Sequence, residues 1–231
     1  MKTAGLLGGM SWESSLEYYR LINEEIKHKL GKLHSAKIIL NSVDFEPIEK
    51  LQHLGKWNEL GRMLAREAKK IEDAGADFLL ICTNTMHKVA DTVQDSISIP
   101  LLHIADATGE VLTRDGIKKV ALLGTAFTMQ EDFYKKRLQE KFSLEVIVPN
   151  KEQREIVHKI IYNELCLGII KENSKKIYLD IIKDLANKGA DGVILGCTEI
   201  GLLVSQNDCD IKVFDTTKIH AKKAVELMID E

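Results

Sequence analysis

Gly75-Ala76-Asp77-Phe78-Leu79-Leu80-Ile81-Cys82-Thr83-Asn84-Thr85 and Gly189-Ala190-Asp191-Gly192-Val193-Ile194-Leu195-Gly196-Cys197-Thr198-Glu199 are near copies, 114 positions apart, and in register they set Thr83 opposite Cys197. Each is an apolar run that stops abruptly in small polar residues. A strand buried on both faces of a parallel sheet reads this way, and its carboxyl end carries a side chain to the edge where open α/β sheets bind ligands. Ala4-Gly5-Leu6-Leu7-Gly8-Gly9 recurs as Val120-Ala121-Leu122-Leu123-Gly124-Thr125 at an offset of 116, so the duplication reaches the first strand of each half. Two halves of this kind imply one cleft with a reactive group from each side.

Working outward, short β-rich runs alternate with longer amphipathic segments, the pattern of an α/β protein with mainly parallel sheets flanked by helices. Strands are expected at Thr3 to Leu7, Ala36 to Asn41, Asp77 to Cys82 and Leu101 to Ile104, then at Lys119 to Leu123, Leu144 to Val148, Gly192 to Gly196 and Lys212 to Phe214. Helices are expected between them, among them Trp12 to Leu30, Asn58 to Ala74, Thr85 to Thr92, Met129 to Lys141, Lys151 to Ile170, Ser174 to Lys188 and Thr216 to Asp230. Gly75 and Gly189 stand where a helix ends in a residue of positive φ. Pro47, Pro100 and Pro149 fall at loops or strand edges. The expected organisation is two similar lobes, residues 1–104 plus 210–231 and residues 105–209, because a two-lobed chain commonly returns its tail to the first lobe.

The 231 residues carry a formal net charge of −3 and are 45% hydrophobic, enough for a sizeable core. With no long Lys/Arg run, nucleic acid and anionic membrane surfaces are not expected partners. No apolar stretch reaches membrane-spanning length and the N-terminus has no secretory pattern, which places the expected location in the cytoplasm. Four cysteines without regular spacing match neither a disulfide framework nor a zinc site, so reduced thiols and no metal are expected.

Asn84-Thr85 and Thr198-Glu199 are helix-starting residues, so Thr83 and Cys197 are expected at helix N-termini. Such ends attract carboxylates and stabilise a thiolate, lowering a cysteine pKa. A pair of them gripping a small amino or carboxylic acid could remove a proton from one face of its α-carbon and return one to the other.

The Thr-Asn-Thr and Gly-Cys-Thr-Glu motifs, the Leu-Leu-Gly-Gly-Met start and the duplicated plan resemble the aspartate/glutamate racemase family over essentially the whole chain. The resemblance is nearest to the aspartate racemase branch, since Glu199 stands where glutamate racemases usually carry His and Gly8-Gly9-Met10 replaces their early Asp-Ser. It implies a cofactor-independent isomerase, with no pyridoxal phosphate, acting on aspartate, glutamate or both, and a homodimer. The family uses one cysteine per domain as opposed acid and base. Cys197 carries over directly, but Thr83 occupies the other cysteine's position and Cys82 lies one residue early. Alternation along the strand aims Cys82 at the opposite face, where it reads as a small buried hydrophobe unless a bulge re-aims it.

Because a Thr hydroxyl supplies no resident base near neutral pH, the chemistry should be lopsided. The resemblance implies that Cys197 works on the L-face, which makes the enzyme L-preferring. Asn84, Thr85, Thr125 and Thr198 are expected to hold the α-carboxylate, Glu199 to orient the ammonium, and Met10 to line the pocket. Gln52, His53 and Lys56, in the loop after the second strand, are the candidates for the distal carboxylate, with Gln52 as a neutral donor that admits both acids. His87 and His103 read either as partners that support the site residues from behind or as satisfied core histidines, Cys166 as core, and Cys209 as a loop thiol. Two other readings use the same residues: decarboxylation or isomerisation of a dicarboxylic acid, and a non-catalytic carboxylate-binding protein.

Overall fold

The structure, a computed structural model, describes residues 1–230 and divides into two compact units. The first comprises Met1–Ile104 and the chain from His220 onward; the second is Ala105–Ile219. Each unit is a parallel sheet flanked by helices.

In the first unit β1 (Ala4–Gly8) lies between β2 (Ile38–Ser42) and β3 (Phe78–Ile81), with Leu6 level with Leu40 and Leu80. Every residue of β1 and β3 is buried, as expected for strands covered on both faces. Leu7, Leu79 and Ile81 face α3 (Trp57–Asp73) through Leu60, Leu64, Ala68 and Ile71. Ala4, Leu6, Phe78, Leu80 and Cys82 face α1 (Trp12–Leu30) through Tyr18, Ile22 and Ile26. The tail of α10 (Thr216–Ile229) completes that layer with Ala221, Ala224, Val225 and Met228.

In the second unit four parallel strands run in the order β5 (Glu145–Ile147), β4 (Lys119–Gly124), β6 (Gly192–Gly196), β7 (Lys212–Asp215). Leu123, Val193 and Leu195 pack with α8 (Lys151–Asn163) and α9 (Glu172–Asn187) through Val157, Ile161, Ile181 and Leu185.

The duplicated Gly-Ala-Asp has the same function in both units. Gly75 and Gly189 adopt φ of +96° and +89° after their helices. There Gly75 N–H bonds to Glu72 O and Ala76 N–H to Ile71 O, just as Gly189 bonds to Ala186 and Ala190 to Leu185. This satisfies the last helical carbonyls and turns the chain into the strand. Asp77 then accepts Thr3 N–H at 2.6 Å, and Asp191 accepts Lys119 N–H at 3.1 Å, so each carboxylate fixes the start of the neighbouring strand.

Several expectations are corrected. Residues 210–219 belong to the second unit, not the first, because β7 pairs in register with β6, Phe214 beside Ile194. Leu101 to Ile104 forms no strand; one parallel bridge, Leu79 to Leu101, is all that it makes. Gln52 lies not in a loop but on α2 (Phe45–His53), where Asp44 caps the start and Pro47 occupies the first turn, a place that needs no N–H donor. A helix α5 (Ile104–Arg114), not among those named from the sequence, fills the gap before β4. Its mid-helix Gly109 disguises it, and a Cβ at that position would run into the Phe142 ring.

Candidate active site

Alternation along β3 decides the cysteine question. Phe78, Leu80 and Cys82 share one core layer while Leu79 and Ile81 share the other. Cys82 is fully buried, its N–H bonds to Leu7 O at 2.9 Å, and burial pushes its thiol far above the ordinary range. It is a core residue. Thr83, the next residue, is partly exposed and lies in the middle of the bend, residues 82–84, that leaves the sheet.

The carboxyl edge of the first sheet gathers most of the first-unit candidates. Met10 follows β1, Gln52 comes from α2 after β2, and Thr83, Asn84 and Thr85 follow β3. Met10 and Met86 belong to one buried cluster, and Gln52 Nε2 donates to Met86 Sδ at 3.0 Å. Gln52, Asn84 and Thr85 are all buried, whereas His53 and Lys56 are exposed, and His53 pairs with Glu49. The segment after Thr85 is a 3₁₀ turn, Thr85–Val89, followed by a short α4 (Ala90–Gln94), instead of the continuous helix expected.

The carboxyl edge of the second sheet carries Thr125 after β4 and Cys197, Thr198 and Glu199 after β6. Thr125 caps α6 (Ala126–Gln130), accepting Thr128 N–H at 3.3 Å. Gly124 and Gly196 pair there, and a Cβ on either would strike main-chain carbonyl oxygen, so the two strands close up directly beneath Thr125 and Cys197. Cys197 donates its thiol proton to Glu199 Oε2 at 2.9 Å, and the Thr198 hydroxyl donates to the same oxygen at 2.8 Å.

The ionisation expected of Cys197 is reversed. Burial pushes its thiol well above the usual cysteine range, and the Glu199 charge and Cys166 push it further. The helix end that was to stabilise a thiolate is a single 3₁₀ segment, Thr198–Leu202, too short for a substantial macrodipole. At rest the group is a thiol hydrogen-bonded to a carboxylate. Two neighbours join the site only through the fold. His158 accepts Ala126 N–H at 3.2 Å, anchoring the turn after Thr125, and Cys166 acts electrostatically on Cys197 from 31 positions away. No local signal links Cys166 to Cys197.

A thiol hydrogen-bonded to a carboxylate at the carboxyl edge of a parallel α/β sheet suits proton transfer, the chemistry of the isomerases that work without pyridoxal phosphate. The model of the family described as Asp/Glu/Hydantoin racemase matches residues 7–224. The chain belongs to that family, and it is an isomerase of the amino-acid racemase type. It is 52% identical to a candidate Asp/Glu racemase from Yersinia pestis, with all of both chains covered and a TM-score of 0.93. An aspartate racemase homologue from Pyrococcus horikoshii OT3 shares 39% identity over both full chains with a TM-score of 0.86. The broad specificity amino-acid racemase RacX of Bacillus subtilis is 26% identical over 172 residues, 73% of this chain and 72% of RacX. Against the curated glutamate racemases it matches, the chain spans about half of their length.

Proposed function

We propose that the chain racemises aspartate, glutamate or both as a member of the aspartate racemase branch, with Cys197 acting on the L-face of the α-carbon and Thr83 on the other. The observation that carries this reading is the Cys197 thiol bonded to Glu199, a proton donor and its acceptor in place at a sheet edge. The 39% identity with the aspartate racemase homologue supports the branch.

In the proposed reaction Glu199 takes the thiol proton as substrate binds, and the thiolate removes the α-proton of the L-acid. The transfer moves one negative charge from Glu199 to sulfur, and the substrate ammonium offsets it there. Thr83, or a water that it holds, gives a proton to the opposite face; solvent restores it, and Glu199 releases the thiol proton to solvent, so one proton enters and one leaves per turnover. An α-hydrogen is weakly acidic, so the carbanion-like transition state needs fixed donors. Asn84, Thr85, Thr125, Thr198 and nearby N–H groups are assigned to the α-carboxylate, and loss of one such donor typically costs about 3 kcal/mol of transition-state stabilisation. Met10 lines the pocket, and Gln52, a neutral donor, takes the distal carboxylate with little discrimination between the two acids. Because a hydroxyl is a poor base, the D-to-L direction has the lower kcat at saturation, with KM lower in proportion, since two enantiomers of equal free energy require the same kcat/KM in both directions. A cytoplasmic homodimer is part of the same proposal.

The test follows α-proton exchange and enantiomer interconversion of both acids in deuterium oxide. Cys197→Ser should abolish exchange from the L-forms, and Thr83→Cys should bring the two directions closer to equal rates. Exchange of D-aspartate or D-glutamate as fast as that of the L-forms refutes the asymmetry. Release of carbon dioxide without interconversion replaces racemisation by decarboxylation.

A further inference from the structure

Thr83 sits on a three-residue bend between β3 and the 3₁₀ turn, and both main-chain carbonyls beside it are held by side chains. The Ser14 hydroxyl, from α1, donates to Cys82 O at 2.7 Å. His87, from the 3₁₀ turn, reaches back to Thr83 O with Nδ1 at 2.8 Å. Ile104 N–H points at the other ring nitrogen, Nε2, at 3.2 Å. An amide N–H can only donate, so Nε2 offers its lone pair and Nδ1 carries the proton that goes to Thr83 O. The ring is therefore neutral, in one tautomer, and packed edge-on against His103 at 4.6 Å between centroids.

An aliphatic side chain would fill this buried position without needing two polar partners. What the imidazole adds is a fixed distance between the Thr83 peptide and Ile104, the residue after which the chain passes into the second unit. The direction of a Thr hydroxyl follows its backbone, and a misplacement of about 1 Å at a reacting group lowers rates roughly a hundredfold.

We propose that His87 is a positioning residue for the racemase reaction: its Nδ1–H holds the Thr83 carbonyl, and through it the hydroxyl that serves the face opposite Cys197. This rests on the reading of Thr83 as the second acid–base group. Substrate need not touch His87, which acts only through Thr83.

Two substitutions separate the arms of the ring. In His87→Asn the amide nitrogen falls where Nδ1 is and keeps the Thr83 arm. In His87→Gln the amide falls near Nε2 and keeps only the Ile104 arm. Each variant is given L-glutamate and L-aspartate in deuterium oxide, and two rates are read: α-proton exchange of the L-form, which needs Cys197, and appearance of the D-form, which also needs Thr83. His87→Gln should lose D-product formation by about a hundredfold while keeping L-exchange, and His87→Asn should keep most of both. The unfolding midpoints of the two should be similar, since each retains one hydrogen bond.

Equal loss of D-product formation in the two variants, or loss of L-exchange in step with it, overturns the proposal and leaves His87 a packing residue. If His87→Gln does not fold, His87→Asn decides alone: retained D-product formation supports the positioning role, and its loss with L-exchange intact overturns it. Thr83→Ala is the control for the underlying reading. D-product formed without the hydroxyl removes that reading, and the role of His87 falls with it.

Discussion

His220 makes the stability of the first unit depend on pH between about 6.5 and 4. Its Nε2–H donates to Leu102 O at 2.8 Å, and Nδ1, necessarily the acceptor, takes the Tyr18 hydroxyl proton at 2.8 Å. Burial lowers its pKa from 6.5 to about 4, against the smaller opposing effect of the Leu102 bond. In the unfolded chain the ring binds a proton near pH 6.5, whereas in the fold it does so only near pH 4. Between those values the unfolded chain holds the extra proton, so the contribution is complete above about pH 6.5 and is lost as pH falls toward 4. At 1.36 kcal/mol per unit, the loss is about 2 kcal/mol between pH 7.5 and 5 and about 3 kcal/mol by pH 4. That is a large fraction of the ~5–15 kcal/mol that holds a typical domain folded. The assay is urea unfolding at pH 7.5 and pH 5 for the wild type and His220→Gln, which keeps a donor toward Leu102 and cannot titrate. The variant should start about 1 kcal/mol less stable, having lost the Tyr18 bond, and should lose less stability than the wild type on acidification. Parallel pH dependences in the two proteins would refute the assignment.

Cys82→Ala should destabilise the fold by roughly 1 kcal/mol through a small cavity and leave racemisation intact; loss of activity with normal stability would restore Cys82 as the reactive group. Glu199→Gln should lower racemisation by about a hundredfold or more by removing the acceptor of the thiol proton. The same change should move alkylation of Cys197 to lower pH, since the Glu199 charge and hydrogen bond both raise the thiol pKa. Mass spectrometry of iodoacetamide-treated protein across pH reads that shift, and an unchanged or upward-moving profile contradicts it. Gly189→Ala brings its Cβ only to within 3.9 Å of Lys119 Cδ, an ordinary contact, so its cost is almost wholly that of placing a side chain at φ +89°, about 1–2 kcal/mol in thermal or urea unfolding. A neutral result there would mean that the duplicated turn tolerates ordinary residues.

Much of the architecture was legible in the sequence because strand ends and helix stops are written locally. The run Phe78 to Ile81 and its copy Gly192 to Gly196 declare buried strands, and the glycines before them declare the turns that start those strands. Alternation alone put Cys82 in the core layer of Phe78 and Leu80. Elements with mixed composition escaped. α5 carries a glycine that only the Phe142 ring explains, and α2 has a proline whose first-turn position removes its penalty. Residues 210–219 were assigned to the wrong lobe because a strand's choice of sheet depends on which backbone lies alongside it, not on its own residues.

What the sequence determined by itself is periodic or adjacent: the duplicated strands, the residues at their carboxyl ends, and the register that separates a thiol from a hydroxyl. Tertiary structure alone decided proton positions. Cys197 rests as a thiol because folding buries it beside Glu199 and near Cys166, and burial keeps His220 neutral, with Tyr18, 202 residues earlier in the chain, bonded to its ring. The physical reason is that protonation follows from burial and from neighbours brought together in space. Strand formation follows largely from order along the chain, whereas ionisation depends on surroundings that exist only in the fold.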